Sequence, residues 1–197
     1  MSNRVLILAS ASPRRAELLR LAGLEFSTRP ADVDETPQPD EPPARLAVRL
    51  ARAKAAAIAA GPSPALILGA DTVVAVDGRV LGKPRDREEA CVMLGALAGR
   101  AHEVITGVAA RAVPEETIVV DAFTSRVVFS PMSAEEIAWY AASGEGLDKA
   151  GAYALQGKGC LFVSAVEGSY TNVIGLPMER ILPLLRRFGV PMPSAPP

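Results

Sequence analysis

Leu6-Ile7-Leu8-Ala9-Ser10-Ala11-Ser12-Pro13-Arg14-Arg15 joins an apolar, strand-forming run directly to the opening of a helix. Two hydroxyl residues, Ser10 and Ser12, mark the junction. Ser12 stands where its side chain can cap the helix, and Pro13 suits the first helical position, where its missing N–H costs nothing. Arginine is the wrong charge at that point, because the macrodipole already makes a helix N-terminus positive. Arg14 and Arg15 become reasonable if a strong anion binds between them and the free backbone N–H groups. Phosphate fits that description: strand-to-helix turns present donors to it, and a guanidinium matches its geometry. The plainer alternative is a solvated helix start whose arginines point outward.

Outward from this junction, strand and helix signals alternate. Val5 to Ala9 reads as a buried strand and Pro13 to Ala22 as a helix stopped by Gly23. Glu25 to Arg29 forms a short strand, and Pro30 to Pro43, with five prolines, an extended loop. A long helix is expected from Ala44 to about Ala60, then a strand over Leu66 to Val76. Asp77-Gly78 signals a hairpin into Val80 and Leu81. Asp86 to Ala98 is helical. Glu103 to Val113 and Thr117 to Phe129 read as a long antiparallel pair. Ser133-Ala134-Glu135-Glu136 is a capping box that opens a helix running to Ala142. Leu161 to Val166 is expected as a strand, Pro177 to Phe188 as the last helix, and 191–197 as a flexible proline-rich tail. The pattern is α/β with a mixed sheet, and no internal repeat is present.

Composition narrows the function. A chain of 197 residues suits one domain, and 49% hydrophobic residues supply a real core. A net charge of −1 argues against a general nucleic-acid binder, so any basic site must be a local cluster. Cys91 and Cys160 lie in no metal or redox spacing and are expected as buried thiols in a reducing compartment. No apolar run approaches membrane-spanning length and no signal-peptide order precedes the first strand, so a cytoplasmic protein without a membrane partner is expected. A Walker-type phosphate loop is missing, since Gly82-Lys83 is followed by Pro84. His102 has no ligand or triad partner at useful spacing, which disfavours zinc and Ser–His–Asp chemistry.

Charged residues at sharp chain transitions remain. Asp71 sits in Leu66-Ile67-Leu68-Gly69-Ala70-Asp71-Thr72-Val73-Val74, a carboxylate in an apolar strand. Its burial costs several kcal/mol unless it is paired, hydrated or bound to a cation. A structural hydrogen-bond acceptor is the plainer reading, and an active-site acid the one favoured here. Glu35, in Asp32-Val33-Asp34-Glu35, is a weaker signal of the same kind. The chain keeps only four lysines, Lys54, Lys83, Lys149 and Lys158, and three of them lie in glycine-rich turns where backbone can approach a ligand.

Together these segments resemble the Maf-like family of nucleoside triphosphate pyrophosphatases. The matching pieces are Ser10 to Arg15, Asp32 to Glu35, Leu50 to Lys54, Gly69 to Thr72, Gly82 to Pro84, Gly151 to Tyr153, Gln156 to Gly159 and Asn172 to Pro177, in the family's order and over nearly the whole chain. Arg14, Thr72 and Gln156 resemble the branch acting on dTTP and UTP. The resemblance implies an α/β fold with an elongated mixed β-sheet flanked by helices, two lobes around a central cleft, and one catalytic domain over residues 1–190. It implies hydrolysis of the triphosphate to monophosphate and pyrophosphate. Asp71 would be the catalytic base or a metal ligand. Ser10, Arg14, Arg15, Lys54, Thr72, Lys83 and Gln156 would bind substrate, and Glu35 with Asp71 would bind Mg²⁺ or Mn²⁺. A homodimer is compatible with this organisation. Two rivals share the residues: a pyrophosphatase for noncanonical or methylated purine triphosphates, and a nucleotide-binding regulator of division without useful turnover.

Overall fold

A computed structural model describes residues 4–59 and 61–193. Strand β1 (Val5–Leu8) leads into helix α1 (Pro13–Leu21), and β2 (Phe26–Thr28) precedes a long irregular loop. Helix α2 (Pro43–Ala57), β3 (Ala65–Val76), β4 (Arg79–Leu81) and α3 (Arg87–Leu97) follow. Then come β5 (Ala101–Val113), β6 (Thr117–Phe129), α4 (Ala134–Ala142), β7 (Val163–Glu167), α5 (Tyr170–Ile174) and α6 (Met178–Arg187). The strands form one seven-stranded sheet in the order β2-β1-β3-β5-β6-β7, with β4 on β3. β1 runs parallel to β2 and β3, and the remaining pairs are antiparallel. The sheet is therefore mixed, as the alternating signals imply. No helix among the described residues is long and apolar enough to cross a membrane.

Local chemistry sets most boundaries. Asp86 caps α3 by accepting from the Glu89 N–H at 2.9 Å. The capping box of α4 is complete, with the Glu136 N–H donating to Ser133 Oγ and the Ser133 N–H to the Glu136 carboxylate. At α1 the expectation fails. Ser12 makes no side-chain cap, and its own N–H donates to Ser10 Oγ at 3.2 Å, so Ser10 closes the turn instead. Helix α2 stops at Ala57, short of the expected end, because Arg111 of β5 reaches its C-terminus and donates from Nη1 to the carbonyls of Ala55, Ala56 and Ile58. Ala60 lies outside the described residues, as does 194–197 of the expected tail. Lys158–Leu161 forms a 3₁₀ turn, delaying β7 to Val163. Cys160 is exposed and Cys91 half-buried, which corrects the expectation of two buried thiols.

Helices cover both faces of the sheet. On one face α2 lies almost against the strands. Ala47, Ala51 and Ala55 recur every four residues on its buried side, and all three are fully buried. They meet Gly69 of β3 and Gly107 of β5. A Cβ on Gly69 would come within 2.2 Å of the Ala51 carbonyl oxygen, and one on Gly107 within 2.2 Å of that of Ala47. Small residues on both sides thus let backbone approach backbone. Leu46 and Leu50 flank the seam, each burial contributing about 1.5–3 kcal/mol. On the other face, α1 and α6 pack over one end of the sheet with Leu66, Leu68 and Ala70. Helices α3 and α4 pack over the other end with Val74, Val104 and Phe129. His102 belongs to this second cluster. It is buried, within 2.8 Å of Tyr153 Oη, and edge-on to Phe129 and Tyr153. Burial pushes its imidazole down to about 4, so it is a neutral core residue.

Candidate active site

The cleft opens where β3 loses one neighbour. β1 pairs with β3 only over Ala65–Leu68, and the hairpin strand β4 joins the same edge only from Val74. Between them Gly69–Val73 keep β5 on one side and face a gap on the other. Side chains alternate across a strand, so Asp71 points toward α2 while Thr72 points toward α1 and α5, yet both border the gap. A cleft of about 540 Å³ fills it, lined by residues from both ends of the chain, including Ser10, Arg14, Glu35, Lys83 and Gln156.

Lys54 is the centre of charge. The close seat of α2 brings its ammonium to 2.6 Å from Asp71 Oδ1 and 2.5 Å from Glu35 Oε1. Lys54 and Asp71 are buried, whereas Glu35 is 47% exposed on the proline-rich loop. Lys83 Nζ stands 4.0 Å from Glu35 Oε2 and is open to solvent. Burial pushes the Asp71 carboxyl above its ordinary value, and Lys54 and Arg15 only partly offset that. Burial acts the same way on Glu35, but the contact with Lys54 outweighs it and holds this carboxyl below its ordinary value. Two acids bridged by one cation thus differ in proton affinity, the arrangement expected of groups with different tasks.

The two arginines separate. Arg14 is half-buried and lines the cleft. Arg15 turns inward, donating from Nε to the Gly175 carbonyl at 2.8 Å, from Nη1 to Ser10 Oγ at 3.0 Å and from Nη2 to Thr72 Oγ1 at 3.0 Å. A guanidinium has five N–H donors, so two remain for a ligand. Gly175 itself is needed here, since its φ of 122° lies in the left-handed half of the map. Thr72, expected as a substrate-binding residue, has no hydroxyl proton left for a ligand. Thr106 Oγ1 donates to the Asn172 carbonyl at 3.0 Å, which uses its one proton. The 2.9 Å contact between the two threonines must therefore be donated by Thr72. Toward the cleft Thr72 can only accept.

Other expectations sort similarly. Gln156 is exposed on the cleft wall. Lys158 leaves the site and lies 5.8 Å over the Trp139 ring. Lys149 lines the cleft but is held by Asp148 and the Glu145 carbonyl. Sequence reading missed Tyr153 and Asp148 on the wall. It also missed Glu145, whose signal was an acid between Gly144 and Gly146.

Lys54 engages Glu35 Oε1 and Asp71 Oδ1, which leaves Glu35 Oε2 and Asp71 Oδ2 as the hard oxygen donors that a divalent ion would use. Among the described residues no group of three or more His, Cys, Asp or Glu side chains assembles. The donor set fits an ion that keeps water and phosphate oxygens as its remaining ligands.

A family model described as "Maf-like protein" matches residues 5–188. The chain belongs to the Maf-like family. Among curated relatives, this Maf-like chain is 52% identical to a dTTP/UTP pyrophosphatase of Myxococcus xanthus (strain DK1622), over 96% of the chain and 95% of the relative. It is 48% identical to one of Symbiobacterium thermophilum, over 95% of each. It is also 48% identical to one of Geobacter sulfurreducens, over 93% of the chain and 96% of the relative.

Proposed function

We propose that this Maf-like chain hydrolyses dTTP and UTP to the monophosphate and pyrophosphate. The observation that carries the reading is the buried Lys54 ammonium bridging Asp71 and Glu35 at a cleft also lined by Arg14, Lys83 and Gln156. A triphosphate repels nucleophiles, so its cleavage requires cations at the phosphates and a base at the water. Arg14, Lys54, Lys83 and the two spare donors of Arg15 supply the positive charge. Asp71, with its raised proton affinity, accepts a proton from the attacking water, and Lys54 keeps it oriented. Ser10 and Thr72 hold Arg15, and Gln156 reads the base edge.

Glu35 and Asp71 would hold Mg²⁺ or Mn²⁺, which when bound neutralises phosphate charge and polarises oxygen. Residues 1–190 act as one two-lobed catalytic unit under this reading. A cytoplasmic setting, no nucleic-acid partner and a homodimer are compatible with it. The test compares kcat/KM for UTP, dTTP, ITP and 7-methyl-GTP with both products quantified. UTP and dTTP should lead the series. Preference for ITP or 7-methyl-GTP points instead to purine house-cleaning, and absence of pyrophosphate with every substrate rejects the enzyme reading.

A further inference from the structure

The cleft wall that carries Gln156 has little regular structure to hold it. Leu155–Gly157 is irregular, Lys158–Leu161 is a single 3₁₀ turn, and residues 156–158 are exposed. One carboxylate ties this segment down. Glu145 Oε2 accepts from the Lys158 N–H at 2.9 Å, and Oε1 accepts from the Gly159 N–H at 3.0 Å and from Tyr140 Oη at 2.8 Å. Tyr140 is buried in α4, and its hydroxyl in turn accepts from the Ala154 N–H at 3.1 Å. The segment is therefore clamped on both sides of Gln156, at Ala154 and at Lys158–Gly159, by two side chains that meet each other.

Glycine makes this closeness possible. Gly157 has φ 107°, and a Cβ there would lie 2.5 Å from Glu145 Oε2. A Cβ on Gly159 would lie 2.2 Å from the Ala154 carbonyl oxygen and 2.7 Å from Tyr140 Oη. The same stretch also reaches the other wall residues, because the Glu145 carbonyl accepts from Lys149 Nζ.

We propose that Glu145 is a positioning residue: its carboxylate, joined to Tyr140, fixes the Ala154–Gly159 segment so that Gln156 is presented to the cleft in one orientation. Its effect on catalysis passes through Gln156 and rests on the pyrophosphatase reading above. Backbone N–H groups bound to a carboxylate are strong, short-range ties, and a recognition side chain released from one orientation must be re-ordered when the base binds, which weakens binding rather than chemistry.

Glu145→Gln keeps the side-chain size but replaces one acceptor oxygen with an NH₂ that faces N–H donors. Amide exchange and UTP kinetics are measured together. In the wild type the Lys158 amide should exchange slowly although Lys158 is exposed, the buried Gly159 amide should exchange slowly as well, and in the variant both should lose protection selectively. KM for UTP should rise about tenfold with kcat within about threefold, from loosened placement rather than lost chemistry. The KM effect should vanish in a Gln156→Ala background, since coupled residues are non-additive. Fast exchange of both amides in the wild type overturns the clamp even if the variant does not fold. Additive KM effects in the two backgrounds reduce Glu145 to a structural residue. If wild-type protein does not turn over UTP, the pyrophosphatase reading fails instead, and the exchange data still decide the clamp.

Discussion

Replacing Asp71 with Asn removes one charge from the Glu35–Lys54–Asp71 trio while keeping the side-chain shape. At 2.6 Å the Lys54–Asp71 attraction is roughly 6 kcal/mol gross for an effective dielectric of about 20. Desolvation of the buried carboxylate, together with repulsion from Glu35, outweighs that attraction, as its raised proton affinity records. The sign follows. The folded state holds the Asp71 proton more tightly than the unfolded chain, so this group's contribution to stability falls as pH rises through its raised pKa. Lys54 also keeps Glu35 in the variant, so no orphaned cation is left. Asp71→Asn should therefore cost at most about 1–2 kcal/mol of stability, below the range for breaking a buried pair outright. Turnover should fall by about two to four orders of magnitude, because the amide cannot accept the proton of the attacking water. Lys54→Met has the opposite balance. It leaves two facing carboxylates and should cost about 3 kcal/mol as well as activity. Pyrophosphate release from UTP, thermal melting and a pH–rate profile test the set. Wild-type activity should fall on acidification with an apparent pKa above the ordinary aspartate range, a value belonging to the coupled trio. Turnover of Asp71→Asn within threefold of wild type refutes the reasoning, as does a melting loss equal to that of Lys54→Met.

Three further outcomes are expected. Exhaustive chelation should abolish turnover and added Mg²⁺ or Mn²⁺ restore it; full activity of stripped protein removes Glu35 and Asp71 from a metal role. Gln156→Glu should depress UTP and dTTP hydrolysis far more than that of 7-methyl-GTP, since a mismatched polar group covered by the bound base costs about 1–3 kcal/mol; an unchanged ratio means the base is read elsewhere. Gly107→Ala should force α2 off the sheet, costing about 3 kcal/mol and most of the activity, because Lys54 rides on that helix. Gly95→Ala, where a Cβ meets nothing within 4 Å, is the control and should stabilise slightly; equal melting of the two variants refutes the close-packing account.

Much of the fold was legible because it rests on local signals. The Ser133 capping box, the Asp77-Gly78 hairpin and the apolar β3 run each follow from chemistry within a few residues, whereas Asp86, read as the first helical residue, is the cap outside it. Helix α5 went unread because five residues give no usable period. Asp71 stood out on its own as an acid that an apolar strand could not hold for nothing, and the four lysines narrowed the search. The sequence by itself determined the alternation of strands and helices, the mixed sheet and the acid in β3. Only the tertiary structure decided that Lys54 stands between Asp71 and Glu35, because that depends on Gly69 and Gly107 letting α2 touch the sheet. It also decided that Arg15 turns inward, that Thr72 spends its proton on Thr106, and that Lys158 leaves the cleft. The seating of Arg15 and Thr72 depends on which side chains meet across the interrupted edge of β3, and hydrogen-bond partners 34 to 160 residues apart leave no periodic trace in the chain.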